Sequence, residues 1–317
     1  MTITVTPVAK LPAPVYPLIA VVSWGAMFPI AANALPHVDP FNITAIRYLV
    51  ASAVFLTVLA AVEGRRALSL DGRGVQLFAL GSLGFAGFNL LAYVALLWSP
   101  PQDVAVIVPT MPLVTALVRW ARYGERPTRV MLAASVAALA GAALVVTKGD
   151  FTTLRGGLGS LLTLIAVACW VTYTMDASRF PQMSPLRYTA LTAALGTLTI
   201  VAATALADAA GWQVLPAVGD VADAWWEIAF LVTFGAVIAV LAWNVGARRL
   251  GSSNTALFIV LVPVVAFAIR IAGGYQPVPA ELVGAAVVIG ALIFANLAGR
   301  TNETPRHAVE HMFDSSR

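Results

Sequence analysis

Ten long apolar stretches, separated by short segments rich in polar residues, proline and glycine, set the pattern of this sequence. Each stretch is apolar around every face of a helix, which is typical of helices surrounded by lipid or buried in a bundle. About 20 apolar residues in a helix cross the hydrocarbon core of a bilayer. The pattern therefore predicts an all-α polytopic membrane protein with ten transmembrane helices. The predicted spans are 15–35, 41–62, 74–98, 102–121, 128–147, 157–178, 186–207, 226–247, 253–272 and 280–299.

The composition supports a membrane protein. Of the 317 residues, 60% are hydrophobic and 11% are charged, and the mean hydropathy is +0.86. A soluble domain has about 25% charged residues, so these charges are too few to cover a water-facing surface. A cytosolic enzyme and a disordered chain are therefore excluded. A secreted disulfide scaffold is excluded on the same ground, and the single cysteine, Cys169, cannot form an intrachain disulfide and so does not indicate a redox compartment.

The basic residues predict the orientation. Lys and Arg concentrate on the cytoplasmic side of membrane proteins, so we place both termini in the cytoplasm of an inner (plasma) membrane protein. Segments 1–14 and 300–317 are then cytoplasmic. The outer side receives Lys148, Arg155 and Arg270, and Arg47 lies inside span 2. The inner side collects Lys10, Arg65, Arg66, Arg73, Arg119, Arg122, Arg126, Arg129, Arg179, Arg187, Arg248, Arg249, Arg300, Arg306 and Arg317.

The chain resembles itself at about half its length. Val-Val-Ser-Trp24 in span 1 matches Val-Ala-Cys-Trp170 in span 6, and Pro112 in span 4 matches Pro263 in span 9. We assign a first five-helix repeat to 15–147 and a second to 157–299. Because each repeat has an odd number of spans, the second enters the membrane from the opposite face, and such inverted repeats are typical of secondary transporters. Further matching segments are Leu91-Ala92-Tyr93 with Leu241-Ala242-Trp243 and Gly141-Ala142 with Gly290-Ala291.

These features resemble the drug/metabolite transporter superfamily, EamA type. The resemblance rests on the paired tryptophans and prolines, the Gly-Glu125 step before span 5 and the small-residue closing helices. It covers about 15–299 and implies export of small metabolites. The segment Ala-Trp243-Asn-Val-Gly is similar to the bacterial aromatic amino-acid exporter branch, which implies amino acids as substrates. The chain departs from the family at Gln276, where the second repeat usually has Glu.

Polar and aromatic side chains within four spans predict the substrate pathway. Polar groups inside spans are expected to face the bundle interior or a water-filled cavity. Rings beside hydrogen-bonding groups suit a small amphipathic solute. The alternative is that these residues are interfacial belts or bonds between helices, and it stays open. The predicted substrate-binding residues are Trp24, Asn89, Tyr93, Trp170, Tyr173, Trp243 and Asn244.

Prolines inside spans predict hinges, and small residues inside spans predict close helix packing. Pro109, Pro112 and Pro263 each remove a backbone donor, so we interpret them as hinges, the alternative being ordinary tolerance of proline in membrane helices. Spans 5 and 10 are rich in small residues around Gly141 and Gly290. We expect these two spans to be scaffold or dimer contacts.

One charged residue lies clearly within a span. Arg47 can bind a substrate carboxylate, but we expect it to extend toward the outer face or to bond loop carbonyls, because a charge in the bilayer costs a few kcal/mol. Without it the midplane carries no charge, which disfavours phosphorylated or strongly cationic substrates. Neutral or zwitterionic solutes fit best. Proton coupling and facilitated diffusion both stay open.

Other function classes fit poorly. His37, His307 and His311 lie outside the spans, so Cys169 has no base, and neither a metal site nor a phosphate loop is recognisable. We therefore expect no enzyme, no cofactor and no metal, and a channel is disfavoured by the repeat. The prediction is a secondary transporter exporting neutral or zwitterionic metabolites, foremost amino acids, by alternating access. The alternative is a multidrug or other metabolite exporter. Expected partners are the solute and the bilayer, not nucleic acid, with a monomer or homodimer.

Overall fold

The computed structural model describes residues 11–295, and every regular element in this part of the chain is helical. The all-α prediction is thus confirmed. Nine described helices are long and apolar enough to cross a membrane, and the tenth is shorter. The predicted tail 300–317, the end of span 10 and the first ten residues lie outside the described residues. The helices are α1 (Val15–Ala34), α2 (Pro40–Val62), α3 (Gly74–Ala95), α4 (Asp103–Tyr123), α5 (Arg129–Thr147), α6 (Leu158–Arg179), α7 (Pro185–Ala209), α8 (Trp225–Leu250), α9 (Ser252–Ala272) and α10 (Pro279–Ala295).

Local sequence signals explain where the helices begin and end. Asp39 caps α2 by accepting from two backbone N–H groups, and Ser184 caps α7 in the same way with one. In both cases the next residue is proline, which has no N–H to leave unpaired. Gly124 ends α4 in the left-handed conformation, at φ 70°. Helix bounds therefore fall close to the predicted spans.

Hydrogen bonds show which helix ends share one side of the molecule. Arg187 at the start of α7 donates to the carbonyl of Ala67 after α2 (2.8 Å). Arg122 near the end of α4 pairs with Asp176 in α6 (2.9 Å), and Arg248 in α8 donates to the carbonyls of Ala177 and Phe180 at the end of α6. We call this side the arginine-rich end. Its described basic residues are Arg65, Arg66, Arg73, Arg119, Arg122, Arg126, Arg129, Arg179, Arg187, Arg248 and Arg249.

A second set of bonds joins the other helix ends. Asn42 at the start of α2 donates to Asp208 at the end of α7 (3.1 Å). Asp103 at the start of α4 accepts from the backbone N–H of Gly156 before α6 (2.9 Å). We call this side the opposite end. Its described basic residues are Lys148, Arg155 and Arg270.

Close glycine crossings join the two repeats. A Cβ added to Gly81 in α3 would lie 2.1 Å from the carbonyl oxygen of Thr192 in α7, and one added to Gly196 would lie 2.3 Å from the carbonyl oxygen of Gly81. α5 and α10 cross likewise at Gly141 and Gly284. Gly290, the repeat counterpart of Gly141, faces open space instead, because it lies on a different face of α10 from Gly284.

Four helices depart from α geometry at matching places in the repeats. α3 contains a π-helical segment, Ser82–Gly87, and α8 contains another, Leu231–Ile238. α4 contains a 3₁₀ turn at Val108–Thr110, and α9 contains one at Leu257–Val260. π segments occur frequently at functional sites. All four segments lie beside the central cavity described below.

The three proposed hinge prolines lie at or just after the 3₁₀ turns. Pro109 is inside the turn of α4, Pro112 follows it, and Pro263 follows the turn of α9. The two turns contact each other across the repeats. That these prolines act as hinges stays a prediction.

Candidate functional site

A central cavity lies between the two repeats, lined by residues from seven helices. The cavity volume open to a water-sized sphere is about 80 Å³, which is below the about 300–1,000 Å³ that is common for small-molecule pockets. The lining residues are Trp24, Met27, Arg47, Tyr48, Phe88, Asn89, Val108, Met111, Trp170, Gly235, Val240, Ile259 and Val262.

Aromatic rings form one wall of the cavity. The ring centroids of Trp24 and Trp170, at matching positions in the two repeats, are 5.7 Å apart in an edge-to-face arrangement. Phe88 extends this wall, 5.7 Å from Trp170. Trp243 packs behind it, 5.3 Å from Trp24, and is fully buried. Such a surface can cover the apolar part of a solute.

Arg47 points into the cavity, so the expectation that it extends outward was wrong. Only 2% of the residue is exposed. Its Nη2 donates to the Oδ1 of Asn89 (2.7 Å), its Nη1 contacts the sulfur of Met27 (3.3 Å), and its guanidinium lies 4.7 Å from the ring centre of Tyr48. These interior contacts replace water for the guanidinium. The cavity between the repeats therefore carries a positive charge.

Asn89 links the cavity to the π-helical segment of α3. Its Nδ2 donates to the carbonyl of Phe85 (2.8 Å), which leaves Oδ1 as the acceptor for Arg47. Because both the Nδ2 and the Oδ1 of Asn89 are hydrogen-bonded, the orientation of its amide is fixed, and this amide in turn positions the guanidinium of Arg47. The side chain that the sequence predicted as a substrate contact therefore also positions its charged neighbour.

The two cavity tryptophans differ in their hydrogen bonds. Trp24 Nε1 donates to the carbonyl of Gly235 in the π-helical segment of α8 (3.0 Å). Trp170 Nε1 is buried without a partner among the described residues, and so is the Nε of Arg47. Two buried N–H groups on cavity-lining residues are thus free to donate. Most buried donors in proteins are paired, which makes these two exceptions notable.

Three of the predicted site residues lie in a packed layer toward the arginine-rich end. Asn244 donates to the hydroxyl of Tyr173 (2.7 Å) and to Thr189 (2.8 Å), and Trp243 donates to Thr174 (3.1 Å). Tyr188 stacks on Tyr173 at 5.3 Å between ring centroids. We call Tyr173, Tyr188, Trp243 and Asn244 the closing layer, because all four are buried between the cavity and the arginine-rich end.

Tyr93 lies apart from both groups. It is only partly buried, toward the opposite end, and its ring centroid lies 6.4 Å from that of Phe41. The structure thus brings Trp24, Asn89 and Trp170 to the cavity, and places the other four predicted residues around it. The substrate-contacting role of all seven stays a prediction.

Sequence reasoning missed most apolar lining residues. Met27, Val108, Met111 and Ile259 sit in spans whose every face is apolar, so nothing in the sequence separates a cavity face from a lipid face. Tyr48 and Phe88 offered a weak signal, because each directly adjoins a polar residue within a span. Among the described residues no cluster of metal-ligating side chains is present.

Comparisons with known proteins agree with this architecture. Residues 12–147 and 157–297 each match the EamA-like transporter family. The chain is 32% identical to YrdR of Bacillus subtilis, an uncharacterized transporter, over 90% of this chain and 91% of that protein. It is 24% identical to a probable terminal-alkyne amino-acid exporter of Streptantibioticus cattleyicolor, over 90% and 94%. A crystal structure of another protein, 22% identical, shares the fold with a TM-score of 0.74, over 92% of this chain and 98% of that one.

Proposed function

The chain belongs to the EamA-like transporter family, and from this premise we propose that it exports amino acids by alternating access. That it is a multi-pass membrane transporter with two repeats, and not an enzyme, follows from the family. The substrate, the direction of transport and the orientation are the proposal. The observation that carries it is the cavity between the repeats, with aromatic walls and a few fixed polar groups.

The cavity suits a small solute with an apolar body and a polar end. Rings and aliphatic side chains line most of it, while Arg47 and Asn89 supply polar groups. A free amino acid with an apolar side chain has this division. The relative described as a probable amino-acid exporter supports the same class.

The closing layer supports alternating access. Its residues are buried on the arginine-rich side of the cavity, whereas Tyr93, toward the opposite end, is partly exposed. Because basic residues favour the cytoplasm, we place the arginine-rich end inside. With this orientation, the closing layer would close the cavity toward the cytoplasm. Rocking of the repeats about the glycine crossings would open that end and close the other.

Reconstituted vesicles test the transport proposal. The purified protein in liposomes should carry labelled phenylalanine, leucine or tryptophan faster than protein-free liposomes do. A panel of cationic dyes measured in parallel addresses the multidrug alternative. Flux of a dye without flux of any amino acid would overturn the amino-acid assignment.

Thiol labelling in cells tests the orientation. In a Cys169→Ser background, Asp150→Cys at the opposite end should react with a membrane-impermeant maleimide in intact cells. Asn254→Cys at the arginine-rich end should react only after permeabilisation. The reverse pattern would place the arginine-rich end outside.

A further inference from the structure

The guanidinium of Arg47 is buried without an anion. Arginine remains protonated in proteins, and a buried charge is costly unless it is paired. Its one hydrogen-bonded oxygen belongs to the neutral amide of Asn89. None of the ion pairs among the described residues includes Arg47. The cavity therefore holds a fixed positive charge that a negatively charged ligand would neutralise.

The free donors indicate which anion fits. The Nε of Arg47 and the Nε1 of Trp170 are both buried, unpaired and carried by residues of the same cavity. The ring of Phe88, which precedes Asn89 in α3, lies 5.7 Å from that of Trp170 in the same cavity lining. A carboxylate has two oxygens and accepts from two such donors. A phosphate, with its higher charge, would call for more than one basic residue.

The rest of the cavity lining indicates that the ligand does not need an ammonium group. No acidic side chain is among the described residues that line the cavity. An ammonium group therefore finds only ring faces and neutral oxygens, whereas a carboxylate finds a guanidinium.

We propose that Arg47 and Trp170 form a carboxylate subsite, and that the substrate class is monocarboxylates with an apolar body. In this class the carboxylate is required and the amino group is dispensable. The inference rests on the proposed transport function, which it makes more specific. Trp24, the repeat counterpart of Trp170, is not part of the subsite because its N–H is already bonded to Gly235.

Three ligands of one size test the proposal in the wild-type protein. Phenylalanine carries both charged groups, 3-phenylpropionate only the carboxylate, and phenethylamine only the ammonium. Thermal unfolding of the detergent-purified protein should be shifted upward by the first two ligands and not by the third. Sodium chloride at equal concentration controls for an anion without an apolar body. Stabilisation by phenethylamine equal to that by 3-phenylpropionate would overturn the proposal.

Variants test the two residues. Arg47→Gln should weaken 3-phenylpropionate binding about 10- to 100-fold, the usual effect of losing a hydrogen bond from a charged donor. Arg47→Lys should recover part of the loss, and Trp170→Phe should weaken binding by a smaller factor while keeping the ring. The matched control is Arg66→Gln, which removes one exposed arginine at the arginine-rich end. Unchanged binding in well-folded Arg47→Gln would overturn the proposal, and the wild-type ligand series decides if that variant does not fold.

The outcomes separate this inference from the transport proposal. Flux of amino acids with equal competition by phenethylamine would remove the carboxylate subsite and leave the transporter assignment intact. Flux of 3-phenylpropionate without flux of any amino acid would remove the amino-acid assignment and leave the carboxylate subsite intact.

Discussion

The two repeats place equivalent residues on the two sides of the cavity, and these residues are in different states. By the repeat alignment, Tyr173 corresponds to Met27, Trp243 to Tyr93 and Asn244 to Val94. The second-repeat residues form the closing layer and are fully buried or nearly so. Their first-repeat counterparts lie toward the opposite end and are partly exposed.

The difference is chemical as well as conformational. The closed side is joined by an amide that bonds a hydroxyl from α6 and one from α7. The equivalent positions on the other side, Met27 and Val94, have no such donors. If the two states are exchanged by symmetry, these equivalent positions would be joined by hydrogen bonds in one state and by apolar contacts in the other. Substitutions in the closing layer alone would then change the relative populations of the two states.

Removing the close crossing between the repeats should have the largest effect. Gly81→Ala places a Cβ 2.1 Å from a backbone oxygen of α7, where no side chain can move away. Overpacking of this kind costs about 1–3 kcal/mol or more. We expect a large fall in the melting temperature of the purified protein and little folded material in the membrane. Gly290→Ala, which meets open space, is the matched control and should be near neutral.

Weakening the closing layer should open the cavity toward the arginine-rich end. Asn244→Ala removes two hydrogen bonds, each worth about 0.5–1.5 kcal/mol, so the population open at that end should rise about tenfold. The readout is labelling of Met111→Cys in a Cys169→Ser background from the arginine-rich side of oriented vesicles. The control Asn254→Ala removes an exposed amide. Equal labelling in both variants would mean that the layer does not hold this end closed.

The tryptophan pair tests whether equivalent residues have different roles. Trp24→Phe leaves the carbonyl of Gly235 without its partner and should lower the free energy of unfolding by about 1 kcal/mol. Trp170→Phe removes an unpaired N–H and should leave that free energy nearly unchanged. Denaturant titration of both variants measures the difference. A larger loss in Trp170→Phe would reverse the assignment.

We expect the smallest effect from breaking the ion pair between Asp71 and Arg187 at the arginine-rich end. A hydrogen bond from Ser69, followed by the bond to Arg187, lowers the pKa of Asp71 below its ordinary value of 3.8. A lowered pKa stabilises the folded state above pH 3.8, and this contribution is lost as the pH falls through the lowered value. Asp71→Asn should therefore slightly lower the melting temperature at pH 7, and the difference should vanish at strongly acidic pH. A difference that is independent of pH would contradict this.

The fold was largely predictable because its signals are long and repeated. About 20 consecutive apolar residues clearly indicate a transmembrane helix. Helix starts at Pro40 and Pro185, each preceded by a capping residue, mark where such helices begin. The matching pairs Trp24 and Trp170, and Pro112 and Pro263, indicated the internal repeat. The family resemblance is confirmed by the match of both halves.

The candidate site was less predictable because sequence does not reveal which helix face meets the cavity. Trp170 and Tyr173 share a face and were assigned together, yet one lines the cavity and the other lies in the closing layer. Arg47 was misjudged because its interior partners, Asn89 and Met27, come from other helices. Such long-range contacts decide whether a charge is tolerated inside a span.

The π-helical segments carry a consequence for how these helices tolerate insertion and deletion. A π segment holds an additional residue, and each residue advances a helix by about 100°. Deleting one residue from Ser82–Gly87 would restore a regular α-helix. The part of α3 after the deletion would then rotate about the helix axis by about 100°. The crossing at Gly81 would stay in place, while Asn89 would turn away from Arg47. The π segment therefore sets the angle between the half of α3 that crosses α7 and the half that holds Arg47 through Asn89.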